Sequence, residues 1–330
     1  MGRRGLVYHH HAAFPLIAPT LRHFGDGIYA IDSGYVRNEF DAVHFVVNNG
    51  RVAIIDTATR YAVDHILHGI SLLGLGPDAV DYVVLTHVHL DHAGGAGELM
   101  KRCPQAQLTV HPRGARHMVD PTKLWSAVLA VYGEEMATRE YGGLEPIPAD
   151  RIMETPEGAT ISLAGRVLEF WDAPGHARHH VFVRDTQTGS IFSGDTFGIS
   201  YRELDTSAGA YVFITSSPTQ FDPAAHQASV RRVMNSGAPA VYLTHYSQLR
   251  SVRSSGEFLL GQIDRYASLA QRHGHEGEDR SRLIEAELEK MLFQEARAHG
   301  VSLDDKTLRG VLDMDLRLNA DGLVSWLDAH

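Results

Sequence analysis

The stretch Thr86-His87-Val88-His89-Leu90-Asp91-His92-Ala93-Gly94-Gly95 carries three imidazoles and one carboxylate within six residues. Residues 81–85 before it are rich in β-branched and aromatic side chains and predict a short buried strand, and a helix is expected over Ala96 to Arg102 after the glycine pair. A loop between the two lets neighbouring side chains converge, whereas a continued strand would send them to opposite faces. Imidazole nitrogen and carboxylate oxygen are ligands of divalent ions such as Zn²⁺. The stretch therefore predicts a metal site at a strand-to-helix turn.

Three further polar motifs follow apolar runs later in the chain. They are Pro174-Gly175-His176, Ser193-Gly194-Asp195-Thr196 and Thr244-His245. Together with residues 86–95, and in this order, they resemble the metallo-β-lactamase superfamily, whose His-x-His-x-Asp-His motif is present without a gap at 87–92. The resemblance spans about Gly27 to Tyr246. Four ordered motifs make it specific, where any one alone would be weak.

The resemblance implies a site for two metal ions. His87, His89 and His176 would hold one ion, Asp91, His92 and His245 the other, and Asp195 would bridge them. Two ions roughly 3.5–4 Å apart can share a water, and a metal-bound water loses a proton near neutral pH. Zinc is the expected ion, with iron and manganese as alternatives, because cellular supply decides among them as much as ligand type does.

Two more residues match the family at positions next to the ligands. Asp56 ends an apolar run, and His180 keeps its family position four residues after His176. Both are interpreted as residues that orient ligands rather than as ligands themselves. The residues between His176 and His180 depart from the small turn of the family, and we expect Arg178 and His179 to face solvent rather than substrate.

Composition is ordinary for a folded enzyme and limits the partners. The 330 residues, 44% hydrophobic and 21% charged, suffice for one large domain or two ordinary ones. The formal net charge of −10 disfavours a nucleic-acid surface, and no apolar run reaches membrane-spanning length. A single cysteine, Cys103, excludes an intrachain disulfide, as expected of a reducing compartment. The N-terminal stretch has Arg3-Arg4 but is broken by residues 8–11 and Pro15, so we predict a cytoplasmic protein without a secretory signal.

Strand patterns alternate with helical patterns in two successive halves of the chain. Strands are expected near 27–32, 43–47, 52–56, 82–86, 107–110, 160–163, 166–171, 181–183, 191–192 and 240–243. Periodicity alone indicates the α/β class, and the resemblance implies a four-layer αββα sandwich. We predict a catalytic domain over 1–255 and a helical extension over 256–330, which either packs on that domain or forms a homodimer surface.

A helical insertion is expected at about 120–143. Trp125 and Tyr132 are seven residues apart and Met136 follows one turn later, so all three are expected on one helical stripe. The stripe is either plain core or an apolar wall over the metals that selects an acyl chain. Tyr201, shortly after Asp195, is a further candidate for this substrate pocket.

The favoured function is hydrolysis of a small ester, thioester or lactone, as in the glyoxalase-II-like and lactonase-like members that share this ligand set. The resemblance implies that a metal-bridging hydroxide attacks the carbonyl and that Asp91 carries the proton to the leaving group. The partner is then a small molecule, neither nucleic acid nor membrane. Gly198 stands where lactonases of the acyl-homoserine-lactone type commonly have tyrosine, which disfavours that substrate.

A mononuclear iron oxygenase of the same fold, such as the family's persulfide dioxygenases, is the alternative. It would use only His87, His176 and Asp195, the two-His-one-carboxylate set of non-haem iron enzymes. The flavo-diiron branch fits less well, because it usually has a glutamate where His89 stands. The intact ligand set disfavours a noncatalytic binding protein.

Overall fold

The computed structural model describes residues 20–216, 219–274 and 277–329, and the chain forms two compact units. The first unit runs to Trp171 and includes Val183–Thr188; the second comprises Asp172–Phe182 and continues from Gly189. The N-terminal stretch used to predict the absence of a signal lies outside the described residues. The units divide the predicted catalytic segment 1–255 between them, so the boundary at residue 255 stays a prediction.

The first unit is built on a seven-stranded sheet in sequential order. Its strands are β1 (Arg22–Gly25), β2 (Ile28–Asp32), β3 (Ala42–Asn48), β4 (Arg51–Ile55), β5 (Val80–Val84), β6 (Gln107–Val110) and β7 (Ile152–Glu154). The strands β1 to β4 pair antiparallel, and β4 to β7 pair parallel. The carboxyl ends of β4, β5 and β6 therefore lie at one edge of the sheet, where a parallel arrangement collects loop residues.

Helices of the first unit contribute apolar side chains to its core. They are α1 (Val63–Leu72), α2 (Leu90–Ala93), α3 (Ala96–Arg102), α4 (Pro112–Val119), α5 (Thr122–Tyr132) and α6 (Glu134–Tyr141). Buried Ile66 of α1 and Leu99 of α3 join the same hydrophobic cluster as Phe45 and Ile54 of the sheet. Close packing demands glycine before α3, because a Cβ on Gly95 would lie 2.6 Å from a backbone carbonyl oxygen.

A second sheet has six strands in the order β13-β12-β11-β10-β9-β8. The strands are β8 (Thr160–Leu163), β9 (Arg166–Asp172), β10 (Val181–Asp185), β11 (Ile191–Gly194), β12 (Val241–Leu243) and β13 (Ser247–Leu249). Within the second unit, β11 pairs parallel with β12, and β12 pairs antiparallel with β13. Two sheets combined with helices confirm the predicted α/β class.

The helices of the second unit include the predicted C-terminal extension. They are α7 (Pro223–Asn235), α8 (Val252–His273), α9 (Arg280–His299) and α10 (Asp305–Asp328). Leu259, Leu288 and Leu312, one from each of the last three helices, are all 0% exposed, so each of these helices buries an apolar side. No helix among the described residues has both the length and the apolar character needed to cross a bilayer.

The predicted insertion is helical, but its predicted single stripe is wrong. Helix α5 ends at Tyr132, and Gly133 adopts a φ of +77° before α6 begins. A positive φ is costly for residues other than glycine and cannot continue a right-handed helix, so Gly133 ends one helix before the next begins. Met136 therefore lies on a different helix from Trp125 and does not continue its stripe.

Candidate metal centre

The carboxylate of Asp56 organises the polar residues of the first unit. Asp56 follows β4, and Thr86 and His87 follow the parallel neighbour β5. The fully buried Asp56 carboxylate accepts hydrogen bonds from the Thr86 backbone N–H at 2.8 Å, the Thr86 hydroxyl at 2.8 Å and His92 Nδ1 at 2.9 Å. Its φ of +58° lies in the left-handed region that non-glycine residues rarely adopt, and these three bonds offset that strain.

Three imidazoles converge beside this carboxylate. His87 Nε2 lies 2.9 Å from His89 Nδ1, and the ring centroids of His87 and His92 are 4.0 Å apart. Asp56 accepts the hydrogen bond from the Nδ1–H of His92, so Nε2 is the nitrogen of that ring that could bind a metal ion. This Nε2 lies 3.9 Å from Asp91 Oδ2. His87 and His92 are 0% exposed, whereas His89 and Asp91 are partly exposed.

In the second unit the two oxygens of Asp195 face two different histidines. Asp195 follows β11 and His245 follows its parallel neighbour β12, while His176 lies in the loop after β9. Asp195 Oδ2 is 3.6 Å from His176 Nε2, and Oδ1 is 3.8 Å from His245 Nε2. Both distances are too long for hydrogen bonds. They are near the ~3.4 Å that separates two ligands of one tetrahedral zinc with bonds of about 2.0–2.1 Å.

Backbone contacts hold these side chains in place. His176 Nδ1 donates to the Thr215 carbonyl at 3.2 Å, and the Asp195 N–H donates to His180 Nε2 at 3.1 Å. His226 Nε2 donates to the Thr196 carbonyl at 2.7 Å, and burial is the main cause that lowers the pKa of His226 to about 4. A neutral His226 is therefore a fixed hydrogen-bond donor beside Asp195 at physiological pH.

The loop that carries His176 requires a glycine before it. Gly175 has a φ of +130°, and a Cβ there would lie 2.2 Å from the Cα of His226. The helix α7 thus packs directly against the backbone of this loop. Sequence reasoning missed the orienting roles of Thr86, Thr215 and His226. Thr215 acts through a backbone carbonyl, which leaves no signal in the sequence.

The remaining predicted residues have definite places. Arg178 is exposed as expected, but the expectation is wrong for His179, which is only 7% exposed. Trp125 is half-buried on α5 and Met136 half-buried on α6; the side chain of Tyr132 lies outside the described part of the structure. Tyr201 is 1% exposed, and its hydroxyl donates to the Asp315 carboxylate at 3.0 Å. Their role in a substrate pocket stays a prediction.

The donor chemistry of both units fits a divalent metal ion. His87, His89, Asp91 and His92 in the first unit, and His176, Asp195 and His245 in the second, all belong to groups of His and Asp side chains that could hold an ion. Buried imidazoles with one nitrogen fixed by a hydrogen bond are typical of ligating histidines. The structure thus defines an α/β protein with candidate metal-binding His/Asp groups.

The chain belongs to the metallo-β-lactamase superfamily, whose family model matches residues 39–245. Its fold is the αββα sandwich of that family with a helical extension at the C-terminus, as the resemblance implied. This membership confirms the predicted family and fold.

Three relatives illustrate the range of the family. The metallo-β-lactamase fold-containing protein ST1585 of Sulfurisphaera tokodaii is 27% identical over 226 residues, covering 66% of this chain and 78% of its own. A hydroxyacylglutathione hydrolase of Synechococcus is 28% identical over 143 residues, and the match covers 43% of this chain but only 45% of the relative. The solved structure described as a peroxy diiron species of the chemotaxis sensor ODP is 16% identical, with a TM-score of 0.53 and coverage of 74% and 95%.

Proposed function

We propose that the chain is a dinuclear metal-dependent hydrolase that acts on a small ester, thioester or lactone. Membership of a family that consists mostly of hydrolases supports the reaction class. The match to a hydroxyacylglutathione hydrolase supports a thioester or ester as substrate, although it covers less than half of that relative. The observation that carries the proposal is the Asp195 carboxylate, which presents one oxygen to His176 and the other to His245.

The seven His and Asp ligands divide into two sets in this proposal. His87, His89 and His176 would hold one ion, Asp91, His92 and His245 would hold the other, and Asp195 would be a ligand of both. A carboxylate that only accepted hydrogen bonds from these imidazoles would approach them to about 2.7–3.2 Å. The observed 3.6 and 3.8 Å favour ligation of a shared cation, for which we propose zinc, with iron and manganese as alternatives.

Bound divalent ions supply an activated water and polarise the substrate carbonyl. The residues of the chain then have separate tasks. Asp56 keeps the His92 proton on Nδ1, and the Thr215 carbonyl keeps the His176 proton on Nδ1. In both rings Nε2 is then the nitrogen that can bind a metal ion. Asp91 is partly exposed, unlike His87 and His92, so its carboxylate can exchange a proton with the leaving group.

Metal analysis of freshly purified, tag-free protein tests the proposal. We expect two ions per chain by mass spectrometry, and Asp195→Ala should lose metal from both positions because it removes the shared ligand. Asp304→Ala is the matched control, since Asp304 is an exposed carboxylate that caps α10. Unchanged stoichiometry in Asp195→Ala contradicts the bridging role.

Turnover on a panel of thioesters, esters and lactones tests the reaction class. The assay is run with and without oxygen, and hydrolysis without added redox cofactor is expected in both. Oxygen chemistry at iron is the second candidate, because His87, His176 and Asp195 are the two-His-one-carboxylate set of non-haem iron enzymes. Oxygen uptake with a persulfide, together with one iron per chain and no hydrolysis on the panel, selects the mononuclear dioxygenase instead.

A further inference from the structure

The C-terminal helices contact one irregular segment of the second unit, residues 214–216. Thr215, at its centre, accepts the hydrogen bond from His176 Nδ1 at 3.2 Å. That bond places the ring proton on Nδ1 and leaves Nε2 as the nitrogen that can bind an ion. The place of the Thr215 carbonyl therefore sets the orientation of the His176 ring.

The two residues beside Thr215 are each held by a buried side-chain amide. The N–H of Ile214 donates to Gln262 Oε1 of α8 at 2.6 Å, and the N–H of Ser216 donates to Asn319 Oδ1 of α10 at 2.6 Å. Gln262 and Asn319 are both 0% exposed. Residues 214–216 belong to no strand or helix, so their backbone groups depend on such side chains for partners.

A polar network joins these amides to all three helices of the extension. Gln262 Nε2 donates to Glu295 Oε2 of α9 at 2.6 Å. The Tyr266 hydroxyl of α8 lies 3.4 Å from both Asn319 Nδ2 and the Ile214 carbonyl oxygen. A satisfied polar network inside an apolar interior favours one geometry, because any shift leaves a buried group without its partner.

We propose that the helices α8 to α10 are a positioning element of the metal centre, with Gln262 and Asn319 as its positioning residues. This rests on the proposed metal-binding role of His176. Replacing either amide leaves a backbone N–H beside Thr215 unpaired, so the segment shifts and the Thr215 carbonyl no longer holds the ring. Loss of such an orienting contact lowers metal affinity by about 10–100-fold. Only the ion that His176 ligates is affected.

The test compares two amide variants with a matched packing variant. Asn319→Leu and Gln262→Met replace each amide with an apolar group of similar size. Leu312→Ala is the control, because Leu312 is a 0% exposed residue of α10 and its truncation removes packing without removing a polar contact to residues 214–216. Zinc affinity is measured by chelator competition, ligand geometry by the visible spectrum of the Co²⁺-substituted protein, and stability by Tm.

We expect both amide variants to lose 10–100-fold in affinity for one ion and to change the cobalt spectrum. Leu312→Ala should keep both properties despite a lower Tm. The proposal is overturned if the amide variants keep wild-type affinity and spectrum, or if Leu312→Ala loses as much affinity as they do.

A measurement on metal-free protein separates this inference from the proposed function. Nitrogen NMR of the imidazoles, assigned with a His176→Gln variant, reports which ring nitrogen carries the proton. The wild type should show the Nδ1-protonated form of His176, and the amide variants a mixture. An unchanged tautomer in both variants contradicts the positioning role even if the wild type binds two metals. A wild type that binds no metal contradicts the proposed function and is recognised without any variant.

Discussion

Replacing Asp56 with asparagine should weaken the binding of one metal ion and should lower the stability of the metal-free fold by a comparable free energy. The carboxylate accepts from the Thr86 N–H at 2.8 Å and from His92 Nδ1 at 2.9 Å, and it is fully buried. An asparagine oxygen can keep the first bond, but its NH₂ group then faces His92 Nδ1. The ring must accept there, which moves its proton to Nε2, the nitrogen proposed to bind metal.

The magnitude follows from the loss of this one orienting contact. Removal of a partner that fixes a ligating histidine costs about 10–100-fold in metal affinity, which is about 1.4–2.7 kcal/mol. We expect that loss of affinity for one of the two ions in a chelator-competition titration. In urea, the free energy of unfolding of the metal-free protein should fall by about 1–3 kcal/mol. Thr57→Val is the control, because it removes a 2.8 Å hydrogen bond to the His92 carbonyl but leaves the ring untouched. If Asp56→Asn keeps wild-type affinity for both ions, Asp56 does not set the His92 tautomer for metal binding and only holds the loop in place.

Three further perturbations have expected outcomes. Burial lowers the pKa of His44 to about 3, so between pH 6.5 and 3 only the unfolded chain takes up this proton. The contribution of His44 to stability should fall by about 1.4 kcal/mol per pH unit over that range, and His44→Leu should remove this contribution in urea titrations of metal-free protein. Gly175→Ala should lose Tm and metal together, since its Cβ would overlap the His226 backbone at 2.2 Å; normal metal content would contradict the close packing. Trp125→Ala should raise KM or alter chain-length preference at unchanged Tm if α5 lines a pocket, whereas a Tm several degrees lower with intact activity identifies the residue as core.

The strands were predictable where they are buried or alternate between buried and exposed residues, and they were missed at three of the four sheet edges. The strands 107–110 and 160–163 and the helix Ala96–Arg102 have the predicted bounds. The strands that the pattern missed are β1, β7 and β13, and each is an edge strand of three or four residues. An edge strand pairs on one side only, so a short polar sequence such as Arg22–Gly25 can suffice without an apolar pattern. The edge strand β8 was predicted because its residues alternate between apolar and polar.

The insertion shows how local glycine chemistry overrides periodicity. The stripe from Trp125 to Met136 assumes one continuous helix, yet Gly133 stands between them and takes a φ of +77°. Glycine at the end of a helical pattern followed by two acidic residues is a stop and a new start, and the sequence contains both signals. Contacts such as His176 with the Thr215 carbonyl have no comparable signal, because 39 residues separate the two and the acceptor is a main-chain oxygen.

The two units use one backbone arrangement for two different purposes. In each, an aspartate ends one strand and a histidine follows the parallel neighbour: Asp56 with His87, and Asp195 with His245. The Asp56 carboxylate lies within 2.9 Å of its donors and accepts hydrogen bonds from Thr86 and His92. The Asp195 oxygens stand 3.6 and 3.8 Å from imidazole nitrogens, a spacing that leaves room for cations. The distance from each carboxylate to the imidazoles beside it, more than residue type or strand position, therefore separates the aspartate that orients from the one proposed to ligate.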